Sequence, residues 1–394
     1  MLFTSSLVSL LAAASVSALP ALTKRAAADI LVFKFADVLE QLESQFYSQA
    51  LAKFKDSDFA AAGFGSSQVL IEQFQVIQAD EDTHSKTLQA ALKSFGQEPI
   101  TSCKFNFESA LKDVGTMAAT ARIVESVGVS AYLGAASLLT DPRILTSAGS
   151  ILTTEARHQT FLNMISPTGT TIPNAFDFAL TPSEVLTLAL PFVDPSSPCD
   201  TGVKPNPILS VTNAGTIGVG TKLTFASDAL NSTVDQSKLF CQMLVGGVVS
   251  TISLPLSECA PPAGINGPVA IWITSDPQPL LNDVTDRATT QIVAGPLMTY
   301  IDTQPQLVNQ LIRASGGAVA ATSTSTTTIS PAQASSIIVN APAAGPPASG
   351  AAPVASSSPA ASGSAAPAAS TASPSGPSAD GAITVMGMAN VPAS

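Results

Sequence analysis

The chain contains only two histidines, and each stands three residues after a glutamate: Glu81-x-x-His84 in "ADEDTHSKTL" and Glu155-x-x-His158 in "LTTEARHQTF". A spacing of three puts a carboxylate and an imidazole on the same face of a helix, one turn apart. On the second helix they interrupt an otherwise apolar stripe of Leu70, Phe74, Ile77, Leu88, Ala91 and Phe95. On the fourth they interrupt Ile144, Ala148, Ile151, Leu162 and Ile165. Both pairs should therefore point inward. Burying unpaired carboxylates is costly, and they tend to take up protons instead. Two buried carboxylates beside two imidazoles call for a compensating positive charge, and a divalent metal supplies it.

A matching set of residues lies on two other helices. Glu40 precedes Tyr47 by two helical turns, and Glu125 precedes Tyr132 by the same distance. Glu43 also projects toward the apolar side. When the two segments are aligned on their Glu–Tyr pairs, however, Gly128 falls opposite Glu43, so only Glu40 has a twin. The sequence thus repeats Glu…Tyr then Glu-x-x-His, twice. A set of one Glu from each of two helices and Glu-x-x-His from each of two more is the ligand arrangement of di-metal carboxylate bundles. The expected metal ligands are Glu40, Glu81, His84, Glu125, Glu155 and His158. By analogy, Glu81 and Glu155 bridge, Glu40 and Glu125 are terminal, and each histidine binds one ion. The pattern does not separate iron from manganese, since both accept this donor set. Tyr47 and Tyr132 are candidates for a catalytic role, with core packing and a bonded hydroxyl as the equal alternative. Asp80 and Asp82 read most simply as a solvated helix face.

Four long helices must carry these groups. Leu31, Phe35, Val38, Leu42 and Phe46 recur at helical spacing in the first. Val69–Phe95 and Met117–Leu139 follow, and Asp141-Pro142 opens a fourth as N-cap and first-turn proline. A shorter helix is expected over Pro182–Leu190. A four-helix bundle over residues 26–195 is the natural architecture, with the extra length of its first half in the loop "KDSDFAAAGFGSS". Over 200–312 the period changes to short β-rich runs such as "KLTFAS" and "VAIWITSD", broken by turn residues. These suggest a small β-sandwich-like domain, and it has no histidines to bind copper. It carries one glycosylation sequon, Asn231-Ser232-Thr233. Residues 314–394 are rich in Ala, Ser, Pro and Thr, a composition that cannot build a packed core and reads as a disordered, O-glycosylated stalk.

The first 18 residues read as a signal peptide, with a small-x-small site at Val16-Ser17-Ala18. Their apolar run is shorter than the roughly 18 residues a membrane span needs. Residues 19–25 read as a propeptide ending in the dibasic Lys24-Arg25. The C-terminus ends polar, without the apolar tail of about 10–20 residues expected of a lipid-anchor signal. Four cysteines without metal-ligand spacing suit an oxidising compartment. The local pairing Cys103–Cys199 with Cys241–Cys259 is one of three connectivities. A net charge of −11 without a basic cluster excludes the electrostatic footprint of nucleic-acid binding.

Across about residues 28–190, "LEQLESQFY", "ADEDTHSKTL", "RIVESVGVSAYLGAA" and "LTTEARHQTFLN" resemble the ferritin-like superfamily. More narrowly, they resemble the secreted fungal ferritin-like proteins associated with stress response and late sexual development, which are related to plant desiccation-related proteins. The resemblance implies a mainly α fold, two iron or manganese ions, and reaction with oxygen or peroxide, as in rubrerythrins and manganese catalases. The other reading is a non-catalytic structural protein of the cell surface or wall with a vestigial site, because fold alone does not fix function.

Overall fold

The computed structural model describes residues 5–313, with side chains from Asp29 onward, and the short pairs Gly376–Pro377 and Thr384–Val385. Apart from those four residues, the expected low-complexity tail lies outside the described residues. The helical and β-rich regions belong to one compact unit.

Four long helices form the bundle: α1 (Ser5–Lys53), α3 (Ser67–Ser94), α4 (Val114–Ala136) and α5 (Pro142–Ile165). Helix α1 runs without a break through the expected signal and propeptide. A short α2 (Asp56–Ala61) occupies the loop that lengthens the first half. Helices α3, α4 and α5 each start on a side-chain cap. Ser66, Asp113 and Asp141 accept from the backbone N–H of Val69, Thr116 and Arg143, and Pro142 takes the first turn. Such caps satisfy N–H groups that have no partner within the helix. Helix α6 (Pro182–Ala189) opens with a reciprocal box between Thr181 and Glu184. Helix α1 packs closely on α3, and α4 on α5, while the α1–α4 seam is more open.

The bundle core is aromatic toward one end, with Phe46, Tyr47, Phe59, Phe74 and Phe107 buried together. Two expected core residues face outward instead: Leu31 is 41% exposed and Phe95 43%. At the end of α3 the buried stripe passes to Leu92, one position from Ala91. A strict three-and-four count over so many turns drifts off the inward face at its ends.

The β-rich region is a small antiparallel sheet, with strands β1 (Ser210–Val211), β2 (Phe225–Ala226), β3 (Phe240–Val245), β4 (Ile252–Pro255), β5 (Gly267–Thr274) and β6 (Ile292–Ile301). Four of them pair in the order β4-β3-β5-β6, while β1 and β2 form a separate two-stranded pair. After β6 comes a short helix, α7 (Leu307–Arg313), where the sequence reading placed only β structure. All eight residues of β5 are buried, so both faces of the sheet are covered. Val269, Ile271 and Ile273 join Cys241, Met243 and Leu209 on one side. Ala270 and Trp272 join Phe178, Leu180 and Val185 on the other. This is the alternation a strand imposes. The second face is therefore covered by α6 and the segment leading into it, not by a full second sheet. Gly134 shows how close that segment lies: a Cβ there would sit 1.8 Å from the Leu180 carbonyl oxygen, so no larger residue fits without displacing backbone. The two expected disulfides are present, Cys103–Cys199 and Cys241–Cys259. No described helix is long and apolar enough to cross a membrane.

Candidate metal centre

The four helices bring all six expected ligands together halfway along the bundle. Glu40, Glu81, His84 and Glu155 offer atoms within 4.8 Å of one another, and so do Glu81, Glu125, Glu155 and His158. Glu81 and Glu155 are common to both groups. Each group thus comprises one imidazole, one carboxylate of its own and the same shared pair. The carboxyls of Glu81, Glu125 and Glu155 are wholly buried, Glu40 is 1% exposed and His158 6%.

Both imidazoles present Nδ1 to the carboxylates. His84 Nδ1 lies 3.0 Å from Glu81 Oε2, 3.2 Å from Glu40 Oε2 and 3.5 Å from Glu155 Oε1. His158 Nδ1 lies 2.8 Å from Glu81 Oε1 and 3.4 Å from Glu125 Oε2. The second imidazole makes no true hydrogen bond there despite the short approach, and Glu81 Oε1, Glu125 Oε2 and both Glu155 oxygens are likewise buried without a partner. Buried polar atoms are almost always paired. Five orphaned donor atoms converging on one spot fit a site shaped for cations.

The electrostatics agree. Burial pushes the Glu40 carboxyl up to about 8, and holds Glu43 and Glu155 well above the ordinary carboxylate range. Burial also acts against Glu81, but the close approach of the His158 and His84 imidazoles outweighs it and brings that carboxyl down to about 2. Both imidazoles are desolvated, yet neighbouring carboxylates hold their protons on, up to about 12 for His84 and about 11 for His158. Bare protein thus gathers protons at this point to offset its own carboxylates. Divalent ions would do the same and release those protons.

The tyrosines are placed reciprocally. Tyr47 on α1 donates to Glu125 Oε1 on α4, and Tyr132 on α4 donates to Glu40 Oε1 on α1. Each hydroxyl orients a carboxylate of the opposite half. Glu43, the competitor of Glu40, belongs to neither ligand group but is 4% exposed beside the centre. Its counterpart Gly128 gives it room: a Cβ there would lie 3.2 Å from Glu43 Oε1 and 2.5 Å from Glu155 Oε2.

Asp80 corrects the sequence reading. It does not merely face solvent, because its Oδ2 lies 3.1 Å from His158 Nε2. A carboxylate on the far nitrogen fixes the ring and raises its basicity at the near one. The polar run "ADEDT" concealed this role. Asp82 does match the solvated-face reading, pairing with Lys86. The sequence reading also missed Arg122, one turn before Glu125. It forms a two-pronged pair with Asp302 at the end of β6, donates to Asn163 Oδ1, and lies over the Tyr300 ring. Ser126 bonds both the Tyr300 hydroxyl and Gln159, the neighbour of His158. The sheet is thereby tied to the helices of the second half.

Comparison with curated proteins finds no match. Residues 28–166 do match a family model, that of the ferritin-like domain. Those residues include every ligand in both groups, the whole of α3, α4 and α5, and the ligand-bearing part of α1. Over that stretch the chain carries a ferritin-like domain, with a cluster of carboxylates and histidines able to hold metal.

Proposed function

We propose that this chain is a secreted ferritin-like protein with a di-metal carboxylate centre that consumes oxygen or peroxide, in the setting of stress or development. One observation carries the reading: two overlapping ligand groups share Glu81 and Glu155, as two adjacent cations require. Glu40, Glu81, Glu125 and Glu155 would balance two divalent ions, with His84 and His158 as neutral donors. Held there, iron or manganese would supply two electrons, which with two protons reduce peroxide to two molecules of water. A second peroxide, oxidised to oxygen with loss of two protons, would return the electrons.

The protein's own residues would set the conditions for this. Tyr47 and Tyr132 keep the terminal carboxylates aimed inward, and Asp80 holds the His158 ring in one orientation. Burial raises the Glu43 carboxyl well above the ordinary carboxylate range and so favours its neutral form beside the centre. The apolar walls exclude bulk water, which strengthens each of these contacts. Secretion is supported by the N-terminal apolar run, the small-x-small site and the two disulfides. The sequon offers Asn231 on an exposed turn for glycosylation. The polar tail suits association with a cell wall.

The test is metal analysis of protein purified from its native secretion, followed by peroxide and oxygen consumption against a free-ion control. Two redox-active ions per chain and turnover above that control are expected. Two ions without turnover would leave a structural protein of the cell surface. No bound metal would defeat the reading.

A further inference from the structure

The open α1–α4 seam contains a cavity of about 120 Å³ that ends against the metal-site residues. Its inner end is formed by Glu40, Glu43, Tyr132 and Gly128, and the rest of its wall is apolar. The mouth is marked by two exposed leucines, Leu31 at 41% and Leu138 at 37%. Alanines hold the seam open, Ala36 on α1 facing Ala131 and Ala135 on α4. Glu43, although 4% exposed, makes no hydrogen bond or ion pair among the described residues. A buried carboxyl without a partner, at the closed end of an apolar cavity, is a polar contact awaiting a ligand.

We infer that this cavity binds a small, neutral, apolar molecule against the metal centre, with at most one polar atom facing Glu43. The inference rests on the metal-centre reading above and names the class of molecule admitted to that centre. Size sets the upper limit: an apolar cavity of about 150 Å³ stays dry and accepts benzene. Charge sets the other limit. With Glu40, Glu81, Glu125 and Glu155 balancing two divalent ions, the centre offers no net positive charge, and the two carboxyls that line the inner end are Glu40 and Glu43. An anionic ligand would have to shed its water to meet them, and the cavity holds no cationic side chain to compensate. Neutral molecules enter without that penalty, driven by the apolar surface they remove from water.

The test uses the full chain loaded with manganese and freed of unbound ion, with benzene as probe and benzoate as its charged counterpart. Proton relaxation of benzene should rise saturably in manganese-loaded protein and not in zinc-loaded protein. The effect should be absent for benzoate and lost in Ala135→Leu, which fills the cavity while the manganese content stays at the wild-type value. No enhancement in loaded wild-type protein, equal enhancement for benzoate, or undiminished enhancement in Ala135→Leu would overturn the inference. Xenon-pressurised crystals read the cavity independently of metal. Xenon between α1 and α4, absent in Ala135→Leu, supports the pocket, and an empty cavity in the wild type overturns it. Elemental analysis alone reports failure of the metal reading, in which case a xenon-filled cavity would show a pocket without the centre it is inferred to serve.

Discussion

The two halves of the bundle, α1 with α3 and α4 with α5, contribute the same four groups to the centre yet anchor them differently. In the first half, Asp37 lies one turn before Glu40 and binds Ser85, Gln89 and Gln41 within the bundle. In the second, Arg122 takes the corresponding place before Glu125 and reaches out to Asp302 on the sheet. The imidazoles differ too. His158 has Asp80 on its far nitrogen, whereas Thr154, which corresponds to Asp80, donates to the Ser150 carbonyl instead. The third difference is Glu43 against Gly128. Ligand identity is thus repeated while support is not, and two ions held here would occupy unequal positions.

The largest disruption should come from the residues that belong to both ligand groups. Glu81→Ala removes a shared carboxylate from both ligand groups, so metal content should fall from two ions per chain to near none by elemental analysis. His84→Ala should instead cost one ion and leave the other. Next comes Arg122→Ala, which strands Asp302 at a largely buried position. Breaking a buried pair from one side costs about 3–5 kcal/mol, readable by denaturant unfolding. Asp37→Ala, removing a group that burial already pushes toward its neutral form, should cost less.

Asp80→Asn should weaken the ion beside His158 by about 10–100-fold, the usual effect of losing such a supporting contact. Competition with a chelator should show one of the two ions released early. The smallest change belongs to Thr154→Ala, expected within about 0.5 kcal/mol in stability because its hydroxyl only bonds its own helix. If Thr154→Ala released metal as readily as Asp80→Asn, the inequality of the two positions would be wrong.

The ligands were legible in the sequence because a polar residue in an apolar stripe stands out. Glu81, His84, Glu155 and His158 did so, and the Glu–Tyr repeat located Glu40 and Glu125. The cap at Asp141-Pro142 was equally plain. Contacts between distant segments were not legible. Asp80 looks like any residue of an acidic run until α5 is seen beside it, and Arg122 finds Asp302 across 180 positions. The covering of the sheet by α6 was hidden for the same reason: strand alternation shows that a face is buried, not what buries it. Helices α2 and α7 are too short to establish a period.

The crossed tyrosines carry one more consequence. Tyr47 reaches from the first half to the second and Tyr132 reaches back, so residue i meets j where j's twin meets i's. Such reciprocity is the contact rule of a twofold homodimer, here written into a single polypeptide. Two identical subunits must change both copies of a position together. Once joined in one chain, the copies are free to specialise, and Glu43 could remain on one side while Gly128 made space for it on the other.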